Sequence, residues 1–225
     1  MRYALVIFLF LVVSLTACNS RSNDMQEKEA PPQPAVLTFV EYKLDNMGRT
    51  RSEYSSQEDG KIAVDPGFER NKLQLGDVIY FEIPPFSGIP TNPNLQLGAY
   101  RISRILARPG DTIEIKKGTI YVNGKTIAAF YGKANKYGFT EEEYTLHQQK
   151  KEAHFVMSES DRDLFQTRMK KTKIPNNHYF VMDDNWWRGV DSRHFGPLAA
   201  DRIKGKVVGV TEDYRHVLNH LPEDA

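Results

Sequence analysis

The stretch Thr112–Ile127 constrains the fold more than any other part of the chain. It reads Thr-Ile-Glu-Ile, then the turn pair Lys117-Gly118, then Thr-Ile-Tyr-Val, then a second turn pair, Asn123-Gly124. Alternating apolar and polar side chains put one face of each segment into a core and the other into water, the period of a strand and not of a helix. Two-residue turns containing glycine join such segments as antiparallel hairpins. Elsewhere the apolar runs are also short, and 15 glycines and 12 prolines punctuate them. A mainly β architecture with many turns follows.

Further strands are expected at Leu37–Leu44, Lys61–Val64, Asp77–Ile83, Tyr100–Leu106 and Tyr179–Met182. Asn46–Gly60 and Phe86–Leu97 carry the composition of loops. Thr140–Thr172 changes character. Thr140-x-x-Glu143 and Ser160-x-x-Asp163 are capping-box patterns, each opening a polar stretch, and the second carries Leu164, Phe165 and Met169 on one face. One or two short helices inserted in the β body are expected there. Arg168, Lys170, Lys171 and Lys173 lie together without an acid among them. Such a run is ordinarily a solvated face, with contact to anionic lipid head groups as the alternative. At 225 residues one domain is expected, and a net charge of +1 supplies no global field that would draw nucleic acid.

Cys18 is the one cysteine, so the chain can form no disulfide within itself. Ala4–Leu15 is an apolar run too short for a full bilayer span and of the length of a signal-peptide core. It ends Leu15-Thr16-Ala17-Cys18, which resembles a bacterial lipobox. That resemblance implies cleavage before Cys18 and acylation of it, and two or three acyl chains hold a protein to a membrane stably. An uncleaved anchor with a passive cysteine is the alternative. Either reading puts the body outside the cytoplasm, and the first makes it lipid-anchored on the extracytoplasmic face of the plasma membrane. Residues 1–17 are thus a lipoprotein signal peptide, 18–36 an acylated cysteine and polar tether, and 37–225 the folded domain, with an insert at 132–173.

Ile174–Gly196 gathers the polar chemistry. A Pro-Asn-Asn turn leads into the strand Tyr179–Met182, followed by Asp183, Asp184 and Asn185, and then by Asp191, Ser192 and Arg193. This stretch resembles the last motif of type I signal peptidases, which reads roughly Gly-Asp-Asn-(x)-x-x-Ser-x-Asp-Ser-Arg-x-x-Gly after a strand. Those enzymes cut with a serine nucleophile, a lysine as its general base and a second serine that orients the amine. A lysine buried in an apolar site loses its charge and becomes able to take the serine proton. The resemblance spans roughly Leu37–Val210, weakens across Gly132–Lys173, and implies a fold of two packed antiparallel sheets.

The same comparison locates the three catalytic positions. The family's lysine motif, Lys-Arg-Val-Ile-Gly-x-Pro-Gly-Asp, corresponds to Ser103–Asp111, with Pro109, Gly110 and Asp111 retained and Ser103 in place of the lysine. The nucleophile motif, Ser-Met-x-Pro-Thr, corresponds to Asn46–Thr50, with Met47 and Thr50 retained, Asn46 in place of serine and Arg49 in place of proline. Counting back from Gly76-Asp77 instead puts Phe68 at the nucleophile. In the last motif Asp184, Asn185, Asp191, Ser192 and Arg193 match, Asp183 replaces the leading glycine, and Gly189 stands where the orienting serine is expected. Asp191 and Arg193 are expected to form an ion pair that pins the loop.

Nucleophile, base and orienting serine are therefore lost together while the framework residues remain. This pattern implies a catalytically inactive relative that binds an extended segment of an exported polypeptide. The alternative is an active peptidase cutting after small residues, with Ser52, Ser55 or Ser56 as displaced nucleophile and Lys61 or Lys72 as displaced base. A third reading makes the fold a scaffold for the basic insert. A triad of Ser192, His194 and Asp184 is disfavoured because neighbours on one loop seldom point together. His178 reads as a packed structural histidine, and its combination with Asp183 and Asp184 lacks a regular metal-ligand spacing. No metal, cofactor or nucleic acid is implied. Trp186 and Trp187 suit either a core or a membrane interface.

Overall fold

The computed structural model describes residues 36–42, 44, 46–47, 61–86, 98–151 and 154–210. Cys18 with the apolar run before it, and Ser52, Ser55 and Ser56, lie outside the described residues. All the elements below fall within one unit, Ala35–Ala225.

In chain order these are strands β1 (Thr38–Val40), β2 (Ile62–Asp65), β3 (Val78–Glu82), β4 (Tyr100–Ala107), β5 (Thr112–Lys116), β6 (Thr119–Val122) and β7 (Lys125–Thr126). Helices α1 (Glu141–Lys151) and α2 (Glu159–Phe165) follow, then β8 (Met169–Lys173), β9 (His178–Met182), helix α3 (Ser192–Phe195), β10 (Leu198–Ala199) and β11 (Ile203–Val210). They build a seven-stranded sheet in the order β1-β2-β11-β3-β4-β9-β10 and a four-stranded sheet in the order β7-β6-β5-β8. Every pairing is antiparallel. The protein is thus mainly β, with two antiparallel sheets and a small helical insert, as the sequence implied.

The meander forms because its turn residues accept left-handed backbone. Lys117 and Gly118 have φ of 47° and 68°, and Asn123 and Gly124 have 50° and 79°. Positive φ at both central residues matches the twist of the flanking strands. The alternation then turns Ile113, Ile115, Ile120 and Val122 inward, onto Leu106, Phe180 and Met182 of the larger sheet. This shared apolar layer holds the sheets face to face. Strand β4 is the centre of the molecule: every residue from Arg101 to Ala107 is buried, so both of its faces are covered.

The insert differs from expectation in two places. Helix α1 opens as expected, with the Thr140 amide and hydroxyl both donating to Glu143 Oε2, at 2.9 and 3.0 Å. Helix α2 is capped two residues earlier than expected, by Ser158, whose hydroxyl accepts from the Asp161 amide at 3.2 Å. Asp161 itself turns inward to Lys136 Nζ at 2.5 Å and to the Tyr144 hydroxyl at 3.2 Å, clasping the two helices to each other and to the segment before α1. The helix stops at Phe165, and Met169 reaches the same apolar layer from β8 instead. Three strands, β8, the short β10 and the long β11, have no counterpart among those expected. The expected strand Leu37–Leu44 contracts to Thr38–Val40.

Arg104 ties three parts of this frame together. Its guanidinium donates to both oxygens of Asp184, at 2.8 and 2.5 Å, and to the Gly76 carbonyl at 2.8 Å, and it lies 4.6 Å from the centre of the Tyr131 ring. Arg104→Ala strands a buried carboxylate, so urea denaturation should find the variant less stable by about 3–5 kcal/mol. An unchanged midpoint would contradict this role.

Candidate functional site

The ladder between β4 and β9 pairs Ile105 with Val181 and Arg104 with Met182. One residue beyond it, the Ser103 hydroxyl donates to Asp183 Oδ1 at 2.5 Å. Asp183 is 1% exposed and Ser103 fully buried. On the same side of β4, two residues back, Arg101 Nη2 donates to Asp183 Oδ2 at 3.0 Å. The Val190 amide donates to that oxygen at 3.0 Å. Asn46 lies close enough to help hold the pKa of this carboxylate down.

Asn46 is itself fixed from three directions. Its Nδ2 donates to the Ile102 carbonyl at 3.1 Å, its Oδ1 accepts from the Tyr42 hydroxyl at 2.7 Å, and its carbonyl accepts from the Asn185 amide at 2.9 Å. Met47 beside it is buried with Tyr42, Ile62 and Ile102. Burial raises the pKa of the Tyr42 hydroxyl, which keeps it a donor.

Gly189 closes the cluster. A Cβ built there would lie 2.7 Å from Arg193 Nη2, 3.0 Å from Asp183 Cβ and 3.0 Å from Asp191 Oδ2. No side chain fits without displacing these groups. Asn46, Ser103 and Gly189, far apart in the chain, thus all meet at Asp183. The sequence reading picked out those three but missed Arg101 and Tyr42 as their partners. The available signal was an arginine at an alternating position of an otherwise apolar strand.

The last motif folds as a pinned loop. Asp191 caps α3: its Oδ1 accepts from the Arg193 amide at 3.0 Å and its Oδ2 from the Asp183 amide at 3.0 Å. The expected ion pair is present, with Arg193 Nη2 2.8 Å from Asp191 Oδ2. Arg193 also donates to the Trp186 carbonyl at 3.0 Å. The Ser192 hydroxyl accepts from the Val181 amide at 3.0 Å, and Asp184 is held by Arg104, so Ser192, His194 and Asp184 form no triad. Pro109, Gly110 and Asp111 make the turn into β5, where Asp111 accepts from the Arg108 amide and from Asn123, at 2.8 and 2.7 Å. Lys72 is exposed and paired with Glu69 at 2.6 Å. Phe68 packs beside the core containing Ile79 and Phe81, away from the Asp183 cluster. His178 is half-buried, with Nδ1 2.9 Å from the Asn176 carbonyl. Trp186 is a core residue and Trp187 is exposed. Among the described residues, no three His, Cys, Asp or Glu side chains lie together as ligands of a metal ion would.

The cluster's carboxylates are held differently. Burial pushes the pKa of Asp183 up to about 6, against the pull of Arg101 and the donors around it. It is therefore ionised at neutral pH. Burial also opposes the charge on Asp191, but Arg193 and the surrounding donors outweigh it and hold that carboxyl well below the usual range. Burial likewise opposes the charge on Arg101, and Asp183 more than restores it.

A family model described as signal peptidase, peptidase S26 matches residues 1–211, and this chain belongs to that family. It is 27% identical over 172 residues to signal peptidase I V of Bacillus subtilis, covering 75% of this chain and 83% of that one. It is 30% identical over 150 residues to signal peptidase IB of Staphylococcus aureus, covering 65% of each. Against signal peptidase I T of Bacillus subtilis the identity is 33% over 105 residues, so the match spans 45% of that relative. A solved signal peptidase I from Enterococcus faecalis aligns with 61% of this chain and 97% of its own, at 23% identity and a TM-score of 0.35.

Folded Asp183 binds its proton more tightly than the unfolded chain, with a pKa of about 6 against 3.8. Its contribution to stability is thus fully present below 3.8 and lost as the pH rises through about 6. Asp191 works the other way, contributing above 3.8 and losing its contribution as the pH falls. Asp183→Asn removes only the first titration. Its cost in urea denaturation should shrink as the pH rises from about 4 to about 7. A cost that is flat or grows over that range would contradict this assignment.

Proposed function

We propose that this protein is a catalytically silent signal-peptidase relative that binds extended segments of exported polypeptides at the outer face of the plasma membrane, anchored there through an acylated Cys18. The observation that carries the reading is the Asp183 cluster. By resemblance, Asn46 occupies the nucleophile position, Ser103 the base position and Gly189 that of the orienting serine.

A general base must be neutral before it can accept a proton, and the family's lysine achieves this in an apolar setting. Here the serine that replaces the lysine donates to a carboxylate where the family motif has glycine. Across the ladder, the large and small residues have changed places. A lysine restored at position 103 would meet an ionised aspartate, which favours the protonated amine. A serine restored at position 189 would collide with Asp183, Asp191 and Arg193. The cluster is therefore not an emptied catalytic centre but one refilled with polar groups that bond to one another. In an unrelated serine protease, loss of the nucleophile alone lowers turnover roughly a million-fold.

Peptide binding does not need the lost groups. An extended segment can add as a strand to a sheet edge through backbone hydrogen bonds, with pockets for alternate side chains. Among the described residues the larger sheet ends at β1 and β10. A role in secretion or surface assembly follows from that binding. Localisation rests on the N-terminal apolar run and the lipobox resemblance. Among the described residues no helix is long and apolar enough to cross a membrane.

The test is incubation of the purified protein in detergent with a fluorogenic signal-peptide substrate ending in Ala-x-Ala, with cleavage and binding read separately. Binding without cleavage is expected, and the Asn46→Ser/Ser103→Lys variant should remain silent as well. Cleavage by the unmodified protein would overturn the reading and direct attention to Ser52, Ser55 and Ser56. Absence of both cleavage and binding would remove the receptor role.

A further inference from the structure

The basic run Arg168–Lys173 lies on a strand and not on a helix, and this changes what it presents. Strand β8 is the outermost strand of the smaller sheet, paired on one side with β5. The register puts Met169 opposite Ile115 and Thr172 opposite Ile113, and these residues sit on the core side. Between those rungs β8 has two residues, Lys170 and Lys171, where β5 has one, Glu114. Such a bulge doubles the side chains at one rung and re-aims them. Lys173 lies opposite Thr112 on the outer side, and all three lysines are exposed.

The charges on this outer face do not cancel. Glu114 is paired with Lys116 of its own strand, at 2.8 Å. Arg168, Lys170, Lys171 and Lys173 form no ion pair among the described residues. Three exposed lysines of β8, with Arg168 exposed just before it, are thus left without an acidic partner along one sheet edge.

We propose that this face docks on an anionic membrane surface. The chemistry of the patch favours lipid over a protein partner. Protein interfaces are depleted in lysine and are organised around aromatic or arginine anchors in desolvated pockets. This face is lysine-rich and open, and its one aromatic, Tyr121, is engaged by Lys116 at 5.1 Å. Strongly hydrated ammonium groups on flexible stems suit a head-group layer, which reads charge density and not shape. The inference takes from the proposed function only the nearby membrane. Catalytic silence and peptide binding do not enter it, so the peptide assay and the vesicle assay can fail independently.

The experiment is co-sedimentation of the full chain with vesicles of phosphatidylcholine alone and with vesicles carrying roughly one-third phosphatidylglycerol. The readout is the ratio of the two partition coefficients, in which the apolar N-terminal segment contributes to both arms. The wild-type ratio should be on the order of 100 and should collapse as salt is raised. Lys170→Glu/Lys171→Glu/Lys173→Glu should bring it close to unity while leaving circular dichroism and the thermal midpoint unchanged. Lys150→Glu/Lys151→Glu, exposed at the end of α1, changes nearly as much charge elsewhere and should leave most of the preference intact. Equal partitioning of the wild type, or equal loss in the two variants, would overturn the proposal. Retention by immobilised poly-glutamate without a preference for anionic vesicles would overturn it in favour of an acidic protein partner.

Discussion

The buried carboxylate of Asp183 is the group around which the rest of the site is arranged. A charge with 1% exposure survives only where donors replace the lost water, and here Arg101, Ser103 and the Val190 amide supply them, with Asn46 close beside. Each donor comes from a different part of the chain or from its own constrained position. Arg101 and Ser103 are on the central strand, Asn46 follows β1, and Val190 belongs to the loop pinned by Asp191 and Arg193. Satisfying one carboxylate therefore ties its own segment to the central strand and the pinned loop, and Asn46 joins them through Ile102 and Asn185. Hydrogen bonds to a charged group contribute more than neutral ones, about 1.5–3 kcal/mol each, and leaving one such group without partners costs more still.

That arrangement shows how Asn46, Ser103 and Gly189, which by resemblance stand at the three catalytic positions, fit one another. Ser103 is short enough to leave room for the Asp183 side chain and also donates to it. Gly189 is tolerated because anything larger would strike Asp183 and its neighbours. Asn46 donates to the Ile102 carbonyl of the central strand while accepting from Tyr42, two roles that its amide supplies simultaneously. The three residues thus belong to one polar unit around a buried carboxylate, and the proposed silence of the protein rests on that unit.

Much of this was legible in the sequence, and the failures have physical causes. The meander was readable because alternation and left-handed turn residues coincide over a single short stretch. The capping pattern at Thr140 and the Asp191–Arg193 pair were readable because both are local. Strand β8 escaped notice because Met-Lys-Lys-Thr-Lys carries a bulge that breaks the alternation, and its charge suggested the exposed face of a helix. Strand β11 lies between β2 and β3 although glycines interrupt it at Gly205 and Gly209. Gly205 is there because a Cβ would come within 2.2 Å of Val64 Cγ1, a contact that only the folded sheet reveals. Asn46, Ser103 and Gly189 are singled out by resemblance alone. Their meeting around Asp183, through Arg101 and Tyr42, depends on long-range contacts such as Arg101 with Asp183, 82 residues apart, and has no local signal.

The most direct test of this account is the proton affinity of an amine placed at the base position. In the Asn46→Ser/Ser103→Lys variant, with lysine side chains isotopically labelled, the titration of the introduced lysine can be followed by NMR. The Asp183 carboxylate should hold it protonated, so that it titrates above the ordinary lysine value of about 10.4. A midpoint near neutrality, with the fold intact, would mean that the site still supports a neutral general base, and the account given for Asp183 would be wrong.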